Sequence, residues 1–93
     1  MEIPTLDDRI QNKYADQIEE YSTIFNKEIL NGHQHTSDSG YPYFECVIND
    51  GEWIHSELFD YLVKLYYEAF WIVEQYEEKE GYCIRIFRRK VEN

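Results

Sequence analysis

The side chains here with chemical potential are three histidines, two cysteines and a large excess of carboxylates. His33 and His35 stand two apart within the polar run 33–40 (HQHTSDSG), and His55 lies downstream. An H-x-H pair supplies two metal ligands, and His55 or a cysteine would have to add the third. Zinc sites repeat close Cys/His spacings, whereas Cys46 and Cys83 each stand alone. A polar loop does not hold an imidazole in one orientation, so His33 and His35 read as solvated side chains. The two cysteines are too few for a disulfide framework. They are expected to be free, half-buried thiols, and a Cys46–Cys83 bridge is open only if their strands are neighbours.

Acid–base catalysis needs a buried carboxyl with a raised pKa. Nearly all acids here fall on polar helix arcs or in turns. Glu45 and Glu74 interrupt strands, and both read as residues of an exposed face or of a guarded sheet edge. No G-x-x-x-x-G-K-[ST] or G-x-G-x-x-G occurs among only four glycines, so a glycine-rich phosphate cradle is unsupported. The chain is therefore expected to be non-enzymatic, with no cofactor and no metal.

Residues 82–90 (YCIRIFRRK) interleave basic and aromatic side chains, a mixture suited to single-stranded nucleic acid. A helix followed by a hairpin is also similar to the end of a winged helix. The helix that would read bases is apolar and acidic, however, and the would-be wing is acidic at its tip. The domain lacks the basic footprint of nucleic-acid binding. Direct contact with nucleic acid is not expected.

The elements that would position these groups follow from periodicity. Thr5 caps a first helix, with Asp8 returning the bond as in a capping box, and Asp7 and Asp8 suit the positive end of the dipole. From 6 to 30, Leu6, Ile10, Tyr14, Ile18, Tyr21, Ile24, Phe25 and Ile29 share an arc of about 140° at 100° per residue. Asp8, Asp16, Glu19 and Glu20 lie opposite, mixed with Arg9, Lys13 and Lys27. Asn31-Gly32 ends the helix, with Gly32 expected to take a left-handed cap. Residues 41–48 alternate as a strand, and 49–51 form a turn.

Ser56 is expected to cap a second helix over 57–68. Its apolar arc spans about 200°, wider than one contact surface needs, so the helix should be covered on two sides, by the sheet and by helix 1 or a second subunit. Asp60, Lys64 and Glu68, spaced four apart, are placed to pair along its polar strip. Residues 70–76 and 82–90 form an antiparallel hairpin joined by 77–81 (EEKEG). The result is a single α+β domain over 1–93, a three-stranded, mostly antiparallel sheet with two amphipathic helices in the order α-β-α-β-β. One sheet face would carry Phe44, Cys46, Ile48, Phe70, Ile72, Ile84 and Ile86. The other would carry Tyr43, Val47, Trp71, Val73 and Phe87 beside Arg85 and Arg89.

Composition gives the remaining direction. The 93 residues are 43% hydrophobic and 17% aromatic, which suits a packed core and not disorder. No apolar run reaches the roughly 18 residues of a membrane span, and the start Met1-Glu2-Ile3-Pro4 lacks the features of a secretory signal. A cytoplasmic protein without membrane contact is expected. Net charge is −10. Basic residues gather at the end, where Arg85, Arg88, Arg89 and Lys90 face only Glu92. Such a surface attracts basic surfaces from a distance and repels nucleic acid.

Tyrosine and tryptophan dominate binding hot spots, and the sequence holds nine and two of them. The expected partner is a basic protein surface, that of a nucleic-acid-binding protein, met by Glu74, Glu77, Glu78, Glu80, Asp16, Glu19, Glu20 and Trp71. In size and charge the chain resembles the small acidic inhibitors that phages make against host defence or DNA-handling proteins. The likeness is one of composition and transfers no residue. A second expectation is a homodimer formed through the apolar face of helix 57–68 and the second sheet face.

Overall fold

The structure, a computed structural model, describes residues 2–47, 54–78 and 81–89. Helix α1 (Leu6–Lys13) leads into α2 (Ala15–Asn31), and a short strand β1 (His35–Thr36) precedes β2 (Pro42–Val47). Then come α3 (Ser56–Glu68), β3 (Trp71–Glu78) and β4 (Gly81–Arg88). The strands form one antiparallel sheet in the order β1-β2-β4-β3. The α+β class stands as expected. The fourth strand is the two-residue β1, too short to show a period in sequence. The expected turn at 49–51 lies outside the described residues.

The capping box forms as the sequence implied. Thr5 N–H donates to Asp8 Oδ2 at 2.9 Å and Asp8 N–H to Thr5 Oγ1 at 3.1 Å. The long first helix is two helices, broken at Tyr14 (φ −118°, ψ 26°). Tyr14 is anchored elsewhere: its hydroxyl donates to Glu57 Oε2 at 3.0 Å and its ring stacks on His55. Two other expected caps differ. Gly32 is extended (φ −73°, ψ 163°), and the left-handed glycine is Gly40 (φ 84°), which closes a turn on Ser37. The cap of α3 is His55, whose Nδ1 accepts from Glu57 N–H at 3.3 Å, so Ser56 becomes the first helical residue.

All three helices lie on one side of the sheet. Phe25 of α2 and Leu58, Leu62 and Tyr66 of α3 close on Cys46, Val73, Ile84 and Ile86 beneath them. Phe25 meets the Tyr66 ring edge-on at 5.5 Å, and the Tyr66 hydroxyl donates to Asn26 Oδ1 at 2.6 Å, tying α3 to α2. α1 crosses the outside of α3 through Gln11–Tyr61 and Asp7–Lys64. The wide apolar arc of α3 is thus covered twice, by the sheet and by α1.

The register settles which strand residues face inward. Phe44 pairs with Ile86, Cys46 with Ile84 and Val73 with Ile86. The expected phase of β3 is therefore reversed: Trp71 and Val73 face the helices, and Ile72 faces away. Phe70 is not a strand residue. It holds φ 69° in a two-residue joint between α3 and β3, where its N–H donates to Tyr67 O at 3.1 Å and its C=O accepts from Arg89 N–H at 2.8 Å. Trp71 and Val73 are as apolar as Phe70 and Ile72, and the polar marker of the outer set is Glu74, at the parity of Ile72.

Candidate protein-binding surfaces

Three positively charged side chains are committed to the helix layer. Arg9 and Lys13 each approach Glu57 at 3.6 Å, and Lys64 reaches Asp7 at 2.7 Å. The ion pair of Lys64 is thus with Asp7 in place of the expected ladder, with the Glu68 carboxylate still near enough to favour its charge. Glu57 is held below the usual carboxylate range, first by the Tyr14 hydroxyl and then by Lys13 and Arg9. Among the described residues, ion pairs engage only Asp7, Glu45 and Glu57 of the acids. Asp16, Glu19 and Glu20, at i, i+3 and i+4 on α2, are all exposed. They form one acidic patch at the start of that helix.

The carboxylates expected along the hairpin are divided between the two faces. Glu74 lies on the face turned from the helices, where its carboxylate accepts a bond from the Tyr76 hydroxyl. Glu77 is exposed and shares the phase of Val73 and Gln75 on the opposite face. Glu78 closes β3 opposite Gly81, and Glu80 lies outside the described residues. Trp71 stands at the other end of β3, half-buried against Phe44 at 6.1 Å between ring centroids. At about 3.3 Å per residue, roughly 23 Å of strand separates it from Glu78. The residues expected to act together thus occupy an α2 patch, the hairpin and the far sheet end.

The face without helices is the larger feature. Its cross-strand rows read Tyr43–Phe87–Ile72, Glu45–Arg85–Glu74 and Val47–Cys83–Tyr76. His35 stacks on Tyr43, and Tyr43 tilts against Phe87, both at 5.4 Å between centroids. Arg85 occupies the centre, with Nε 3.3 Å from Glu45 Oε2 and its guanidinium over the Tyr43 and Tyr76 rings. Sequence reasoning placed Tyr43, Val47, Arg85 and Phe87 on this face. It missed Ile72, Glu74 and Tyr76, because the β3 phase decides them. Of the other basic residues, Arg89 is spent on the Tyr67 carbonyl at 2.8 Å and the Tyr67 and Phe70 rings. Arg88 is exposed, and Lys90 lies outside the described residues.

Cys46 faces the helices, whereas Cys83 pairs with Val47 on the open face, so the strands are neighbours but the side chains point apart. Both cysteines are free and buried. Burial, followed by the charges of Glu28 and Glu45, pushes the Cys46 thiol up to about 12. Among the described residues, no three His, Cys, Asp or Glu side chains are grouped to hold a metal, and no helix is long and apolar enough to cross a membrane. No family model, curated protein or solved structure matches the chain.

Proposed function

We propose that the chain is a non-enzymatic acidic binding module that docks on a basic surface of another protein, one that itself handles nucleic acid, and inhibits it stoichiometrically. The observation that carries this reading is the allocation of charge. Arg9 and Lys13 converge on Glu57, Lys64 reaches Asp7 and Arg85 goes to Glu45, while Asp16, Glu19, Glu20, Glu74 and Glu77, with Lys27 of α2, stand exposed without an ion pair among the described residues. Unpaired carboxylates at fixed positions raise the association rate with a basic partner and repel nucleic acid itself. Aromatic side chains on the open sheet face supply the apolar contact that charge alone does not.

The test is binding to a basic nucleic-acid-handling protein measured across salt. Affinity should fall steeply between low and high ionic strength, and triple replacement of Asp16, Glu19 and Glu20 by Lys should reduce both affinity and salt slope. Affinity independent of salt defeats the charge-led reading.

The second reading is self-association. α3 offers less for it, since the sheet, α2 and α1 take most of its apolar arc and leave only Phe59 and Val63 half-buried and Leu65 exposed. The open sheet face offers more: Val47 is 66% exposed, and Tyr43, Ile72 and Phe87 are half-exposed. Light scattering at micromolar concentration separates the two readings, since a strict monomer removes this one.

A further inference from the structure

β3 is an outermost strand, and among the described residues nothing pairs with its outer side. Its eight residues, at about 3.3 Å each, span roughly 26 Å. Alternate residues turn N–H and C=O away from β4, leaving a row of donors and acceptors without a strand partner among the described residues. Edges are commonly blunted by shortness, proline or lysine, and β3 (WIVEQYEE) uses none of these. Its charges are all carboxylates. A second copy of β3 laid antiparallel over the full length would set Glu78 against Trp71, Glu77 against Ile72 and Glu74 against Gln75, supplying no cation to any of the three carboxylates, whereas a strand of opposite charge supplies them.

α3 overhangs this edge. Phe59 and Val63 are half-buried, and with Val73 they form the apolar side of a cavity of about 610 Å³. Asp60 and Glu74 also line it, and no described cation does, because Lys64 is drawn to Asp7. Gln75 Oε1 accepts from Ile54 N–H at 2.8 Å, which fastens the entry of α3 to the strand and fixes the spacing between the two walls. Free backbone, apolar wall and carboxylates thus lie side by side.

We propose that the β3 edge and the adjoining α3 groove take an extended segment of the partner, alternating basic and apolar residues, by strand addition. The inference rests on the reading that the partner is a basic protein, and it assigns the partner's binding element. The segment's backbone completes the β3 ladder, its apolar side chains enter between Phe59, Val63 and Val73 on the helix side, and its basic side chains turn to the open face and meet Glu74.

The test is fluorescence anisotropy with a labelled ten-residue peptide alternating lysine and valine. Two versions carrying N-methyl groups on either set of alternate backbone nitrogens, and a glutamate–valine peptide, serve as comparators. One N-methylated version should bind about tenfold more weakly or worse, since several ladder bonds are lost at once. Val63→Arg, which fills the groove and adds a cation, should weaken the parent peptide by about tenfold as well. Undetectable binding of the parent peptide overturns strand addition. So does equal binding of both N-methylated versions, which does not depend on any variant folding. If salt still weakens a basic protein's binding in those cases, the charge-led function survives the loss of this site. If the glutamate–valine peptide binds as tightly as the lysine–valine peptide, the charge-led function fails with it.

Discussion

Replacing Arg85 by Met tests how far the open sheet face is held by its own charges. Arg85 lies on an inner strand between Glu45 and Glu74, with 29% of its side chain exposed. Its Nε bonds Glu45 at 3.3 Å, and its guanidinium sits 5.0 Å from the Tyr43 ring centre and 4.8 Å from that of Tyr76. A half-buried charged hydrogen bond contributes about 1 kcal/mol after screening. Two cation–π contacts at partly exposed rings add about 0.5 kcal/mol each. Methionine keeps most of the length and fills the same space, so the expected loss is about 2 kcal/mol. With a urea m-value near 1 kcal/mol/M for a chain of this size, the midpoint should fall by about 2 M. Arg85→Lys keeps the charge without the planar group and should lose about half as much. A double-mutant cycle with Glu45→Gln should return a coupling of about 1 kcal/mol. A loss below about 0.5 kcal/mol for Arg85→Met, or no coupling to Glu45, would show that packing and not charge holds this row.

Tyr66→Phe should cost about 1 kcal/mol in urea unfolding, because its hydroxyl donates to Asn26 Oδ1 at 2.6 Å, with Ser22 O as a more distant acceptor at 3.3 Å; an unchanged midpoint would remove this tie between α2 and α3. Glu57 has a folded pKa below its unfolded value of about 4.3, so its stabilisation is complete above that value and is lost as pH falls through the folded one. Glu57→Gln should therefore flatten the acid limb of stability below about pH 4.5 and leave the slope above pH 6 unaltered, which acid titration by circular dichroism reads directly. Burial raises the folded Cys46 thiol to about 12 from about 8.5 unfolded, so stability should decline as pH rises above about 8.5; Cys46→Ala should reduce that decline between about pH 8.5 and 10, above which the raised Tyr66 and Tyr76 hydroxyls contribute as well. Iodoacetamide at pH 8 should label both thiols only on unfolding, and rapid native labelling would contradict their burial.

The parts of the fold readable from sequence were those where polar and apolar residues mark opposite sides. The capping box at Thr5 and Asp8, the acidic face of α2 and the inward Phe44, Cys46, Ile84 and Ile86 all meet that condition. The break at Tyr14 left no trace, since Lys13-Tyr14-Ala15 contains neither glycine nor proline and the arc of apolar residues runs on through it. The break falls where Tyr14 is attached to Glu57 and His55, contacts between residues more than forty positions apart. His55 displaced Ser56 as the cap because an imidazole nitrogen serves as acceptor where a hydroxyl was expected. For the binding surfaces, the acids of α2 were visible as a group. The grouping of Glu74 with Arg85 and Tyr76, and of Asp60 with Val63 beside β3, depends on strand register and on the destination of Lys64. Neither is encoded in local spacing.

The joint formed by Ala69 and Phe70 has a consequence for how this chain tolerates change in length. Because α3 passes into β3 through two residues, with Phe70 pinned at positive φ, no slack exists in which an extra residue could be absorbed. One residue inserted there would exchange the inner and outer sets of β3, bringing Glu74 under the helices and turning Val73 to solvent. An insertion of two would restore the parity while displacing every cross-strand partner. Natural variants of this protein should therefore differ in length around 33–40 far more readily than at this joint.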